Sequence, residues 1–321
     1  MNFKTGLSIV IPTFNREKQL YNQLKSIFDY DTSNLDEIII LDNNSAYDVS
    51  NLVKQFKTNK IRIVSNPFNI RVHSNIANAF YYCKTEWFWL LSDDDETLYN
   101  SLNQICEEIA CCPENTGMIQ FARLGSIQKD AIVLNLKEYI DYYFHEKNIR
   151  RGDLVFISTN VYNIENIQEY LGFAFEYSYS YIPHLIPIFK ALDDEKCLVK
   201  FSSKQIVKFI PPREGWYSFG VVGKGLSTLS HIPLNLNKNY WKKFLDCTMS
   251  ITPGTLINRL LNDDKVKDLQ DAIIIYNNIY RYYLPLKSKI ILHLFFFAMS
   301  QKNLKTITIK LLRLFKKAPR L

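Results

Sequence analysis

Along the first hundred residues, short unbroken apolar runs alternate with stretches whose apolar residues recur every three or four positions. The runs at 7–11, 37–41, 61–64 and 87–91 read as strands, because continuous rather than alternating hydrophobicity suits strands covered on both faces. The segments between them predict helices from Asn15, over 47–56 and over 74–83. Leu20, Leu24, Ile27 and Phe28 form the buried stripe of the first. Asn15 is expected to cap that helix, with Glu17 in its positive first turn. Strand–helix alternation of this kind predicts an α/β fold: an open, mostly parallel sheet flanked by helices.

Farther along, a helix over 98–112 is expected to stop at Pro113, and 117–121 resumes strand character. Residues 154–162 and 206–210 read as strands, the latter ended by Pro211 and Pro212, and 182–192 reads as a helix with a proline near its start. From Tyr240 strand signals vanish and helical periodicity takes over, in segments near 240–262, 264–283, 287–300 and 303–317. A boundary near 235 separates an α/β domain, 1–235, from a helical C-terminal extension, 236–321. In the last segment Leu304, Ile307, Leu311, Leu314 and Phe315 share one helical face, while Lys310, Arg313 and Lys317 share the other. That pattern predicts contact of the C-terminal helices with an anionic membrane surface.

Charge sharpens this picture. Residues 287–321 hold nine Lys or Arg and no acid, so the net charge of +7 belongs to the tail, and the rest of the chain has 30 basic against 32 acidic residues. A nucleic-acid groove would need cations spread along the body, so nucleic acid is not an expected partner. The six cysteines, at 83, 106, 111, 112, 197 and 247, lack paired C-x-x-C spacing, which points to buried thiols in a reducing compartment. The longest apolar run, 290–299, is interrupted by His293 and is too short to span a bilayer. With no secretory-type start, the expected location is cytoplasmic, peripheral at the inner face of the plasma membrane.

The strongest chemical signal is Leu90-Leu91-Ser92-Asp93-Asp94-Asp95-Glu96, an apolar strand running directly into carboxylates. Ligands of such sheets bind beyond the carboxyl ends of the strands, so these acids stand where a substrate sits. Hard carboxylate oxygens suit Mg2+ or Mn2+ bridging to phosphate. Asp42, in Leu41-Asp42-Asn43-Asn44-Ser45, ends the second strand at the same edge, and the two sites are expected to converge on one crevice.

Together, Ser8-Ile9-Val10-Ile11-Pro12-Thr13-Phe14-Asn15-Arg16, the Asp42 segment, Asn66 to Asn78 and Ser92-Asp93-Asp94-Asp95 resemble the core of glycosyltransferase family 2, with its GT-A fold, over roughly residues 6–100. The likeness is greatest to bacterial O-antigen and capsule enzymes of the abequosyltransferase type. It implies an inverting transferase that uses a nucleoside-diphosphate sugar and a metal held by a DXD motif, and that acts on a glycan or lipid-linked oligosaccharide. Carried over, Pro12, Thr13 and Asn15 line the nucleoside pocket, and Asp42 with Asn44 meets the base or ribose. Asn69, Arg71 and Asn75 lie near the sugar-phosphate, and Asp93, Asp94 and Asp95 supply the metal ligands. Ser92 stands where relatives often carry the first acid of D-x-D-D.

Inverting transfer also needs a general base for the acceptor hydroxyl. The Glu-Asp pair that relatives place about ninety residues beyond the DXD is missing; His184 stands nearest, with Glu176 and Asp193 as rivals. A loop from Pro211 through Gly220, followed by Gly223-Lys224-Gly225 and His231, has lid character, with Arg213 or Lys224 for the leaving charge and Trp216 for a sugar ring. His231, without a second histidine in ligand spacing, is a candidate for a third metal ligand. The competing readings are a nucleotide-sugar binder without catalysis and a nucleotidyltransferase, the latter opposed by the glycine-free stretch 12–16.

Overall fold

In the first strand, β1 (Lys4–Thr13), every residue from Leu7 to Ile11 is buried, as a continuous apolar run requires. The structure, a computed structural model, describes residues 4–145, 153–210, 219–249, 269–281, 284 and 286–301. It divides into two units, Met1–Glu214 with Leu234–Leu236, and Gly215–Pro233 with Asn237–Leu321. The described residues 219–233 thus fall within the second unit.

In the first unit β1 is followed by α1 (Glu17–Phe28), β2 (Glu37–Asp42), α2 (Val49–Val53), β3 (Ile61–Ser65), α3 (Val72–Tyr82) and β4 (Thr85–Leu90). Then come β5 (Glu96–Thr97), α4 (Ser101–Ala110), β6 (Thr116–Arg123), β7 (Ala131–Val133), α5 (Leu136–His145), β8 (Asn160–Asn163), α6 (Gly172–Glu176), α7 (Ile186–Asp193) and β9 (Leu198–Lys208). The sheet order is β3-β2-β1-β4-β8-β6-β9-β5, with β7 on β9. Strands β3, β2, β1 and β4 run parallel, and β8 enters antiparallel to β4. The result is the open α/β sheet with flanking helices that the sequence predicts.

One face of the sheet is sealed by Leu20, Leu24 and Ile27 of α1 against Ile9, Ile11, Ile38, Ile40, Trp87 and Trp89. Burying each such side chain contributes roughly 1.5–3 kcal/mol. Trp89 is the largest fully buried side chain among the described residues, and its indole donates to the Ser158 carbonyl at 2.8 Å. Truncating it to Ala would cost about 3–5 kcal/mol and would unsettle both β4 and the segment before β8.

Three expectations need correction. Asn15 does not cap α1: Arg16 holds the cap position without a side-chain bond, and Asn15, at φ +53°, accepts from Ala46 N at 2.7 Å instead. The strand expected over 154–162 is a 3-10 turn, Ile157–Thr159, leading into the four-residue β8. The strand expected over 206–210 begins far earlier, at Leu198: Lys200 interrupts its apolar pattern but still pairs with Ile119 of β6, and Ser203 and Lys204 fall at a register shift across which the strand continues.

The second unit contains α8 (Phe219–Ser227), α9 (Lys238–Met249), α10 (Leu269–Ile275), a π-helical turn Tyr276–Tyr280 and α11 (Leu286–Ser300). Lys224 of α8 pairs with Asp271 of α10 at 2.7 Å, and Asn278 donates to the Ser227 hydroxyl. Leu292, Phe295 and Phe296 bury one face of α11. No described helix is long and apolar enough to cross a membrane.

Candidate active site

Because β1 lies between β2 and β4, the ends of the three strands present their last side chains along one edge. Thr13 ends β1 and is the register partner of Asp42, which ends β2. The Thr13 hydroxyl donates to Asp93 Oδ2 at 2.7 Å. A single threonine thus joins the two acidic strand ends. The Tyr47 phenol, between the same groups, is raised above its ordinary pKa by burial and feels both Asp93 and Asp42.

Arg16 completes the cluster. Its Nη1 lies 2.5 Å from Asp93 Oδ1 and 2.8 Å from Asp94 Oδ2, so two carboxylates already share one positive charge. Asp94 also accepts from the Ser92 hydroxyl at 2.5 Å. Asp95 turns the other way: Ser158 Oγ donates to its Oδ2 at 2.5 Å while accepting from Ser92 N at 3.0 Å. Its second oxygen, Oδ1, is buried without a hydrogen-bond partner. Burial pushes Asp93 up to about 6 against the pull of Arg16, and Asp95 up to about 7 against the Ser158 hydroxyl.

Among the described residues no three His, Cys, Asp or Glu side chains form a ready metal cage. The donor set nevertheless fits a hard divalent cation: Asp93 and Asp94 offer neighbouring carboxylate oxygens to one charge, and Asp95 keeps an unpartnered oxygen. Mg2+ or Mn2+ bound through one or two carboxylates, with diphosphate oxygens and water in its other positions, asks no more of a protein.

Beside the acids lies a cradle of asparagines. Asn43 Oδ1 accepts from Asn66 Nδ2 at 3.1 Å and Ile70 N at 3.0 Å, while Asn43 Nδ2 donates to Asn69 Oδ1 at 2.9 Å. Asn75 Nδ2 donates to the Leu41 carbonyl and Asn75 Oδ1 accepts from Asn66. This network fixes Arg71 at φ +75°, a costly backbone for a residue with a Cβ, with its N–H on Asn69 Oδ1. The loops after β1 and β2 are stitched together by Asn15 N on Ser45 Oγ and Ala46 N on Asn15 Oδ1, and Asn44 turns at φ +66°.

Pro12, Thr13, Asn15, Asp42, Asn44, Asn69, Arg71, Asn75 and Asp93 thus gather along one sheet edge. The residues suggested for the base do not join them by any described hydrogen bond. His184 is 2% exposed, neither ring nitrogen has a hydrogen-bond partner, and burial together with nearby His73 pushes its pKa down to about 3. Asp193 is tied to Asn235 N at 2.9 Å and lies 3.5 Å from Lys190, whereas Glu176 faces solvent at the end of α6. Lys224 is engaged by Asp271, and His231 is exposed. Arg213, Trp216 and the helix expected over 303–317 lie outside the described residues.

Sequence reasoning missed Arg16, Tyr47, Asn43, Asn66 and Ser158 as parts of the site. Arg16 closed the first motif and Asn66 opened the third, so a signal existed for both. Ser158 reaches Asp95 across 63 positions of chain, and no local pattern marks it.

Comparison with known proteins agrees with this geometry. Residues 8–159 match the Glycosyl transferase family 2 profile. A GalNAc(5)-diNAcBac-PP-undecaprenol beta-1,3-glucosyltransferase of Campylobacter jejuni is 31% identical over 105 residues, which span 32% of this chain and 34% of that relative. S. aureus TarS 1–349, solved also with UDP-GlcNAc, aligns over 87% of this chain and 81% of its own at TM-score 0.60 and 14% identity. The mannosyltransferase PcManGT of Pyrobaculum calidifontis, in complex with GDP-Man and Mn2+, aligns over 98% of this chain and 89% of its own at TM-score 0.52 and 10% identity. The two solved enzymes share the fold, and the profile covers the strands and loops that carry the acids: over residues 8–159 this chain is similar to glycosyltransferase family 2.

Proposed function

We propose that this chain is an inverting, metal-dependent glycosyltransferase. It moves a hexosyl or deoxyhexosyl group from a nucleoside-diphosphate sugar to a glycan or lipid-linked acceptor in bacterial surface polysaccharide synthesis. The observation that carries the reading is the Asp42–Thr13–Asp93 link with Arg16 between Asp93 and Asp94, which puts the carboxylate of one strand end and a pair of carboxylates from another on one edge. Support comes from the C. jejuni relative, named for an undecaprenol-linked acceptor, and from the PcManGT complex with GDP-Man and Mn2+.

In this reading Asp42 accepts from the base or ribose, as acids at strand ends do. Asp93 and Asp94 hold the cation, and Asp95 backs them from the Ser158 side. A Mn2+ or Mg2+ ion held by these carboxylates would supply positive charge against the diphosphate leaving group. The asparagine cradle fixes the 66–71 loop so that Arg71 faces the sugar-phosphate. The base must take a proton from the acceptor hydroxyl near neutral pH, and an imidazole held near 3 in a sealed site is a poor acceptor. We assign the role to Glu176, the solvent-facing carboxylate on α6, which packs against α3.

The test is turnover. Purified chain, Mn2+ and a panel of nucleotide sugars should release nucleoside diphosphate only when a lipid-linked or glycan acceptor is added. Donor binding without release for every acceptor class would leave a nucleotide-sugar binder in place of an enzyme.

A further inference from the structure

Helix α11 is apolar on two opposite sides. Leu292, Phe295 and Phe296 are buried in the second unit. At 100° per residue, Leu286, Ile290, Leu294 and Phe297 fall within about 80° of one another on another face. That face is open: the four residues are 73%, 51%, 64% and 61% exposed. A helix that is apolar all round belongs in a core or in lipid, and this one has a core on one side only.

The stripe has a defined chemistry at its edges. Lys287 flanks it on one side and Lys289 on the other, and 281–301 contains no acid. Beside the first turns lies an open groove of about 620 Å³ lined by Tyr276, Arg281, Leu286, Lys289, Ile290 and His293, so cationic and apolar side chains share its lining. The sequence that follows, 302–321, adds seven Lys or Arg and again no acid.

We propose that this face of α11 is a bilayer-insertion surface: the stripe enters the headgroup–acyl boundary of an anionic membrane while Arg281, Lys287 and Lys289 bind lipid phosphates. A helix of fifteen residues is about 22 Å long, shorter than the roughly 30 Å hydrocarbon core, so it lies in the plane and does not cross. Stacking of two copies face to face is opposed by the same charges, because it would bring cation against cation with no acid to separate them. The surface gives a purpose to the lipid-linked acceptor proposed above, on which it rests only in that respect.

The test is flotation of the full chain with phosphatidylcholine vesicles, with and without about one-third phosphatidylglycerol. Wild type should partition to the anionic vesicles and lose binding as salt rises. Ile290→Glu with Leu294→Glu should lower partition about tenfold or more, since two apolar anchors become charges. Lys287→Glu with Lys289→Glu, which leaves the stripe intact, should remove the preference for phosphatidylglycerol. Both variants should keep the wild-type melting temperature and its rise with Mn2+ and UDP-sugar.

Vesicle binding unchanged in both variants would overturn the proposal. So would a lipid-free dimer that Ile290→Glu with Leu294→Glu converts to monomer, since the face would then serve self-association. A chain that binds vesicles but no nucleotide sugar would sink the enzymatic reading alone, and the converse would sink only the insertion surface.

Discussion

Arg16 is a buried cation that two carboxylates share, and replacing it with methionine tests whether the acid cluster is built around positive charge. Methionine keeps much of the volume and removes the guanidinium. Removing one partner of a buried ion pair costs about 3–5 kcal/mol, because the other charge stays buried and uncompensated. Asp93 is 3% exposed but Asp94 is 24% exposed, and solvent offsets part of the loss at Asp94, so the lower end, about 3 kcal/mol, applies. For a unit of roughly two hundred residues each kcal/mol moves the melting temperature by about 2–4 °C, which predicts a fall of about 6–12 °C without metal. Mn2+ should then restore more of the melting temperature in Arg16→Met than it adds to wild type, because it enters a site with no guanidinium to displace. The assay is thermal unfolding followed by circular dichroism, with EDTA and with Mn2+. A neutral substitution, or an equal Mn2+ shift in the two proteins, would refute the idea that Arg16 stands where the metal binds.

Other expectations follow from single contacts. His184 binds its proton near 3 in the folded protein and near 6.5 when unfolded, so stability present above pH 6.5 is lost as pH falls toward 3, at up to about 1.4 kcal/mol per unit. His184→Leu should therefore flatten the decline of melting temperature between pH 6.5 and 4.5, and an unaltered decline would contradict this. Ser158→Ala strips Asp95 of its hydroxyl and Ser92 N of its acceptor, and should lower stability by about 2 kcal/mol in denaturant unfolding. Asn43→Ala, which breaks three hydrogen bonds of the cradle, should raise KM for donor more than it lowers kcat. Glu176→Gln should cut kcat by about 10²–10⁴ with donor binding intact, and normal turnover would remove Glu176 as the base.

The parts of this fold that could be read from the sequence were those with local causes. Ile38 to Leu41 are all buried, and an unbroken apolar run has few other places to go. The acids after β2 and β4 were legible for the same reason, since a carboxylate at the end of a buried strand must emerge at the sheet edge. Strand β9 was only half visible because its Lys200 and Lys204 are drawn to Glu107 and Glu108 of α4, a partner that no window of sequence contains. The cap at Asn15 failed because Ala46, on another loop, competed for the side chain that would have capped α1. Arg16 was read as a motif letter, and its role emerged only when the fold brought it to Asp93, 77 positions away. His184 looked like a base by position, and burial removed the basicity.

The account turns on whether Asp93 and Asp94 bind a cation that holds a diphosphate. Electron paramagnetic resonance of Mn2+ titrated into the chain with UDP reads this directly, since bound Mn2+ loses the six-line signal of the free ion. The account predicts that UDP tightens Mn2+ binding in wild type and that Asp93→Asn with Asp94→Asn abolishes that gain while the protein stays folded. Equal Mn2+ affinity in both proteins, with or without UDP, would contradict it.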